Sequence, residues 1–162
     1  GICAAVLDPR NSPSQSRRWW LNAIVAAEDA KFGLPEVKRG LAAAAGGLLR
    51  LPKILPYQLA MEIALTGDPI SAVRAHEFGL VNTVTPSGGA LDGARELAGR
   101  IAANGPLAVR ATKQVVSMAI RYTDPDLFAA QSGILDPVFA SDDAQEGARA
   151  FAEKRAPTWT GH

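Results

Sequence analysis

Hydrophobic positions fall into short, regular runs from Leu21 onward, and into no such pattern before it. Leu21 to Ala26 is an unbroken apolar run of strand length. Glu28-Asp29-Ala30 turns the chain, and Lys31-Phe32-Gly33 resumes an extended path. Pro35 disfavours helical geometry at Leu34, which places Glu36 in a loop just beyond that stretch. Ala42 to Leu51 is helix-compatible with Gly46-Gly47 inside it, a pair that costs about 2 kcal/mol of helix propensity relative to alanine. Such a pair is justified where another backbone or a ligand approaches closely.

Pro56 suits the first position of a helix over Tyr57 to Leu65, and Gly67 ends it. Ser71 is an N-cap for Ala72 to Phe78, with Gly79 as the C-terminal stop. Leu80 to Val84 reads as a short strand. Leu91, Ala94, Leu97, Ala98 and Ile101 share one face of the next helix, and Gly105-Pro106 punctuates it. Leu107, Ala111, Val115 and Met118 repeat the spacing. Asp124-Pro125 opens a further helix carrying Leu127, Gln131, Ile134 and Val138. Asp142 followed by Gln145 is a capping-box signal for a last helix, which runs to about Arg155 before Pro157. The expectation is an α/β chain, short strands followed by about six helices and predominantly helical. More helix faces are apolar than so little sheet can cover, so absent sequence or another subunit supplies part of the core.

Composition narrows the partners. The chain has 162 residues, 48% of them hydrophobic, which suits one ordinary globular domain. With 17 basic against 16 acidic side chains there is no electrostatic footprint for nucleic acid. An anionic partner would be met by local charges, so a small phosphorylated ligand fits better than a polymer. The lone Cys3 allows no internal disulfide and points to a reducing compartment, the cytoplasm. No apolar run approaches the roughly 20 residues of a membrane span, and Gly1 to Pro9 does not read as a signal peptide. The start at Gly1, without methionine, reads as a processed or truncated product.

Few residues suggest chemistry. His76 and His162 lie far apart and no HExxH or CxxC occurs, so no metal site is expected. Neither Gly46-Gly47 nor Gly88-Gly89 is followed by a phosphate-loop lysine. His76, in mid-helix, reads as a packed or solvated side chain. Glu36 has the suggestive setting: Phe32-Gly33-Leu34-Pro35 is an apolar, restricted approach that would hold a carboxylate partly desolvated, as general acid/base work near neutral pH requires. Taken alone, a loop glutamate is usually a solvated charge.

Several blocks together change that weighting. Ala27-Glu28-Asp29-Ala30-Lys31-Phe32-Gly33-Leu34-Pro35-Glu36-Val37-Lys38-Arg39-Gly40-Leu41 is followed by Ala45-Gly46-Gly47-Leu48-Leu49-Arg50-Leu51-Pro52, Leu65-Thr66-Gly67, Ala75-His76-Glu77-Phe78-Gly79-Leu80-Val81-Asn82 and Gly105-Pro106-Leu107-Ala108-Val109. The close runs from Ser141-Asp142-Asp143-Ala144-Gln145-Glu146-Gly147 to Ala150-Phe151-Ala152-Glu153-Lys154-Arg155. In order and spacing these resemble the crotonase (enoyl-CoA hydratase/isomerase) family over residues 23–160, its C-terminal portion.

The resemblance implies a partial crotonase-type domain over residues 21–162, with a C-terminal helical trimerisation region. It implies acyl-CoA thioester chemistry: hydration of a 2-enoyl-CoA, or in a close variant double-bond isomerisation, through an enolate held in an oxyanion hole. Glu36 stands at the family's second catalytic glutamate. Phe32, Leu34, Pro35, Gly46 and Gly47 are candidates for the acyl pocket. Phe151 and Lys154 match positions that reach the adenine and phosphate of coenzyme A, and their separation of three puts them on one helix face. No cofactor is implied beyond the coenzyme A of the substrate, and the assembly implied is a homotrimer or hexamer.

Residues 1–20 depart from the family. Its Gly-Gly-Gly-x-Glu-Leu-Ala turn, which carries the first glutamate and an oxyanion donor, would fall at Pro13 to Arg18, where Ser16 replaces the glutamate. The other donor would precede Gly1. Asp8 to Arg18 is polar and proline-broken, and Arg17-Arg18-Trp19-Trp20 reads as an arm or an apolar cover rather than a nucleic-acid site. This segment is expected to be a disordered or aberrant piece, of the kind a reading-frame error produces, and the chain by itself a catalytically silent fragment or a CoA-binding assembly module.

Overall fold

The computed structural model describes residues 4–7, 23–43, 46–119 and 127–162. The chain divides into two compact units, Gly1–Ala98 and Gly99–His162.

The first unit is built on a parallel sheet of order β1-β2-β5, from β1 (Ala4–Leu7), β2 (Ala23–Ala27) and β5 (Thr83–Thr85). The central strand β2 is the apolar run of the sequence, and Ile24 to Ala27 are all buried, as a strand flanked on both edges and covered on both faces must be. Its register pairs Ala4 with Ala23 on one side and Val25 with Thr83 on the other. The strand after Gly79 starts at Thr83 rather than Leu80. Leu80 and Val81 are buried in the approach, and Asn82 completes the pairing with both its amide and its side chain: its N–H donates to Ile24 O at 2.8 Å, and its Oδ1 accepts from Ile24 N at 2.7 Å. Four residues of the segment set apart at 1–20 therefore join the sheet. The rest of it, including Ser16, Arg17-Arg18 and Trp19-Trp20, lies outside the described residues.

A small antiparallel ribbon, β3 (Lys31–Phe32) with β4 (Ile70–Ser71), sets Phe32 opposite Ile70. Between its strands run a 3-10 helix (Pro35–Arg39), α1 (Gly47–Ile54) and α2 (Tyr57–Thr66). The 3-10 helix corrects the expectation of a loop at Glu36. Leu34 is extended (φ −124°, ψ 80°), as its proline neighbour requires, but Pro35 then supplies a pre-set φ at a position where the missing N–H is not needed. Gly40, at φ 69°, closes the turn. The helix expected over Ala42 to Leu51 begins later, at Gly47, because Gly46 sits in the left-handed region (φ 83°) as its N-cap, and it runs on through Pro52 to Ile54. The glycine pair thus starts a helix instead of interrupting one.

Helix α2 ends on the left-handed Gly67, and α3 (Ala72–Glu77) starts on Ser71, whose Oγ accepts from Arg74 N at 3.1 Å. Phe32, Leu34, Leu51 and Ile63 form the deepest part of the core between sheet, ribbon and helices. Helix α4 (Ala90–Ala102) buries Ala94 and half-buries Leu97, Ala98 and Ile101, as their spacing predicts, but Leu91 is exposed and Ala90 is buried in its place.

The second unit holds α5 (Pro106–Ala119), α6 (Leu127–Phe139) and α7 (Asp142–Glu153). Leu107, Val115 and Met118 are half-buried around the buried Ala111, and Gln131, Ile134 and Val138 are half-buried, as their spacing predicts. Asp124-Pro125 lies outside the described residues. The N-cap of α7 is Ser141, not Asp142: Ser141 Oγ accepts from Ala144 N at 3.1 Å, which leaves no capping box with Gln145. Its C-cap is Lys154 at φ 54°, so the helix stops at Glu153 and Lys154 does not share a helical face with Phe151 as expected.

The segment after α7 doubles back along this unit. Trp159 Nε1 donates to Ala103 O at 2.9 Å, and its ring lies where a side chain at Gly105 or Gly147 would touch it. Two buried acids of α7, Asp143 and Glu146, hold the returning chain. Asp143 accepts from Thr160 N at 2.7 Å, from the Thr160 hydroxyl and from Gly161 N. Glu146 accepts from Thr158 N, from both sides of the Arg155 guanidinium and from Arg149. No helix among the described residues is long and apolar enough to cross a membrane.

Candidate active site

Glu36 is carried on the first turn of the 3-10 helix, which is fastened from two directions. Gly33 packs so closely on Pro69 that a Cβ there would lie 3.0 Å from the Pro69 Cα. Gly67 packs on Val37 and Lys38, and the Lys38 ammonium pairs with Asp68 at 2.5 Å. The Thr66-to-Pro69 turn therefore buttresses the backbone on both sides of Glu36. Glu36 O accepts from Leu41 N at 3.1 Å, which completes the turn.

The side chain is half-buried, and its Oε2 is fully shielded yet accepts no hydrogen bond from any described residue. A buried carboxylate oxygen without a donor costs free energy, and most such atoms in folded proteins are paired. Glu36 is one of the residues lining a cavity of about 390 Å³. Leu34, Leu51, Ala60, Met61 and Ala64 line it too, so the glutamate is set among apolar side chains. A cavity of that size lies within the roughly 300–1,000 Å³ typical of small-molecule sites.

The five candidate pocket residues divide. Leu34 lines the cavity. Phe32 does not: it is 1% exposed in the core beneath. Pro35 is exposed at the start of the 3-10 helix. Gly46 and Gly47 shape the wall indirectly. A Cβ on Gly47 would meet Leu34 Cδ2 at 3.0 Å, and one on Gly46 would meet the Arg50 guanidinium at 2.7 Å. The apolar residues of α2 that do line the cavity carry no distinct signal in the sequence, because their spacing is that of ordinary core.

In the second unit, Phe151 is 88% exposed and Lys154, in its left-handed cap, is exposed as well. Next to them, the Arg155 guanidinium and the Thr158 amide hold the Glu146 carboxyl well below the usual carboxylate range. Burial pushes Asp143 up, but the Thr160 backbone and hydroxyl and the Gly161 amide outweigh it and leave Asp143 depressed. The sequence signal for this cluster existed, two acids at a spacing of three with Arg155, Thr158 and Thr160 downstream, but acids on a helix read as a solvated face. Among the described residues no group of three or more His, Cys, Asp or Glu could hold a metal ion.

Against known proteins, this geometry has close counterparts. The mycobacterial enoyl-CoA hydratase EchA19 of Mycobacterium tuberculosis is 47% identical over 135 residues, 83% of this chain and 51% of that protein. Carnitinyl-CoA dehydratase of Salmonella typhi is 42% identical over 149 residues, 85% of this chain and 54% of that protein. A crystal structure of an enoyl-CoA hydratase from Mycobacterium tuberculosis H37Rv superposes with a TM-score of 0.84 at 58% identity, covering 88% of this chain and 56% of that one. A putative enoyl-CoA hydratase/isomerase from Mycobacterium abscessus gives 0.86 at 46% identity, covering 91% and 61%. The chain spans about half the length of the curated relatives it matches. The sequence profile described as Enoyl-CoA hydratase/isomerase matches residues 21–162, beginning where regular patterning begins. With that profile matching most of its length and relatives of this identity beside it, the chain belongs to the enoyl-CoA hydratase/isomerase family.

Proposed function

We propose that the chain is the acyl-CoA-handling C-terminal portion of a hydratase-type enzyme, one that adds water to the double bond of a 2-enoyl-CoA. The observation that carries this is Glu36, a glutamate with one oxygen shielded and without a donor among the described residues, lining an otherwise apolar cavity. A carboxylate lining such a space can accept a proton from a water and return one to a carbon. Hydration asks for both: a hydroxyl forms at the β-carbon, a proton at the α-carbon, and the thioester enolate lies between. The relatives named hydratase and dehydratase support the reaction class.

The remaining assignments belong to the same reading. Phe151 and Lys154 contact the adenine and phosphate of coenzyme A, the assembly is a homotrimer or hexamer, and the protein works in the cytoplasm without a further cofactor. Lys154→Ala then weakens coenzyme A binding by roughly 10- to 100-fold, a charge-assisted contact of about 1.5–3 kcal/mol, whereas Lys113→Ala does not. Titration calorimetry decides it, and equal losses refute the assignment.

Proton transfer contributes only about 10²–10⁴-fold, and each oxyanion donor about 10²–10³-fold. Ser16 stands where the first glutamate of the glycine turn belongs. These 162 residues are therefore expected to hydrate crotonyl-CoA no faster than their Glu36→Gln variant. Turnover abolished by that substitution would show that donors come from Pro13 to Trp20 or from a partner chain.

A further inference from the structure

We propose that Glu146 is a positioning residue for coenzyme A: through Arg155 it holds Lys154 in the left-handed conformation from which the ammonium meets the phosphate. The inference rests on the reading of Lys154 as the phosphate contact and adds what aims it.

Lys154 is where the backbone departs from the ordinary. Among the described residues it is the one non-glycine with a positive φ, 54°, at a helix end where glycine would sit without strain. A side chain in that region is disfavoured by a factor of roughly 5–30, and it persists where its surroundings over-determine it. Here they do. Lys154 N donates to Phe151 O at 3.3 Å and Arg155 N to Ala150 O at 3.1 Å, which closes the turn. The Arg155 guanidinium then clamps it. Its Nη1 donates to Glu146 Oε1 at 2.6 Å, its Nη2 to Glu146 Oε2 at 3.0 Å, and its Nε to Glu153 Oε2 at 2.6 Å. Lys154 therefore lies between two neighbours, Glu153 and Arg155, that are tied to each other. Both carboxylates are taken up by arginine, and among the described residues none pairs with the Lys154 ammonium.

Anchoring the returning segment is the competing role for Glu146, which accepts from Thr158 N at 3.0 Å. That segment has further fastenings of its own. Asp143 takes Thr160 N, the Thr160 hydroxyl and Gly161 N, and Trp159 Nε1 donates to Ala103 O. The two-pronged pairing with Arg155 serves the turn at Lys154 instead, because a fork on a buried carboxylate fixes direction as well as distance.

The test joins calorimetry with coenzyme A to NMR of a carbon-13-labelled chain. Glu146→Gln should weaken coenzyme A binding by about 5- to 30-fold, as fewer chains hold Lys154 in place. The Lys154 shifts should leave left-handed values while those of α6 stay. Arg155→Gln should do the same, and since it leaves Glu146 its Arg149 and Thr158 partners, it carries the test if Glu146→Gln does not fold. Combined with Lys154→Ala, Glu146→Gln should cost nothing further, because a residue acting through Lys154 then has nothing to aim. Trp159→Phe, which loses the bond to Ala103 O, should bind coenzyme A like the parent chain. The inference is overturned if Glu146→Gln leaves the Lys154 shifts or the affinity unchanged, or if its loss adds to that of Lys154→Ala. It is overturned too if Trp159→Phe loses as much, which would assign the effect to the returning segment. All these results leave the phosphate contact standing. Lys154→Ala binding as tightly as the parent refutes that contact, and the inference falls with it.

Discussion

Glu36 and the glycines around it show how single residues divide between stability and chemistry. A hydrophobic side chain would serve the wall of the cavity better than a carboxylate whose Oε2 has no donor among the described residues. Glu36→Met is accordingly expected to raise stability by about 1 kcal/mol, since an unsatisfied buried polar group costs about 1–3 kcal/mol. Urea denaturation measures it, and a destabilised variant would mean the carboxylate is structural. Gly33 is the opposite case. A Cβ there meets backbone, the Pro69 Cα at 3.0 Å, which cannot rotate away. Gly33→Ala should cost about 1–3 kcal/mol, the usual penalty of overpacking. Gly47→Ala should cost less, because the Leu34 methyl it meets belongs to a side chain that can shift.

Among the elements, α3 and α7 are held at their starts by the same device. Ser71 and Ser141 each accept from the backbone N–H three residues on, at 3.1 Å. Ser71→Ala and Ser141→Ala should each cost about 1 kcal/mol in thermal or urea unfolding. The far end of α7 carries a strained residue, Lys154 at φ 54°. Lys154→Gly relieves that strain while removing the ammonium, so it is a cleaner test of the coenzyme A contact than Lys154→Ala: it should weaken binding while raising stability by about 1 kcal/mol. The returning segment adds a pH response. Glu146 is held well below the ordinary value of about 4.3 for a free glutamate. A depressed carboxylate stabilises fully above its unfolded value and loses that contribution as pH falls through its folded value. Fluorine NMR of a 5-fluorotryptophan-labelled chain should therefore find Trp159 seated on α7 down to pH values below about 4. Glu146→Gln should loosen it already at pH 7.

At the scale of the molecule, each unit leaves several large apolar side chains exposed. Leu49 and Leu65 of the first unit and Phe139 and Phe151 of the second are between 67% and 88% exposed. Large apolar side chains this exposed are candidates for burial against a second copy. Sedimentation is expected to show a concentration-dependent oligomer at micromolar levels, and a well-folded monomer across that range would contradict the assembly proposed above.

Much of this was legible along the chain because it depends on neighbours in sequence. The buried strand β2, the caps at Gly67 and Ser71, the half-buried faces of α5 and α6, and the family itself follow from local spacing and ordered motifs. What needed the tertiary structure depends on residues far apart. Pro35 could open a 3-10 turn as well as a loop, and the packing of Gly67 and Asp68 against Val37 and Lys38 is what the turn rests on. Gly46-Gly47 could interrupt a helix or start one, and the crowding of Leu34 and Arg50 shows the glycines serving as a start. Asp143 and Glu146 are buried only because the chain returns at Thr158 and Thr160 to satisfy them. Helix α2 is apolar at most positions, and only the fold shows that Leu59 and Ile63 are buried while Tyr57, Met61 and Leu65 line the cavity with Glu36. Periodicity reports that a residue will be buried, whereas its partner is chosen by chain segments that sequence spacing does not connect.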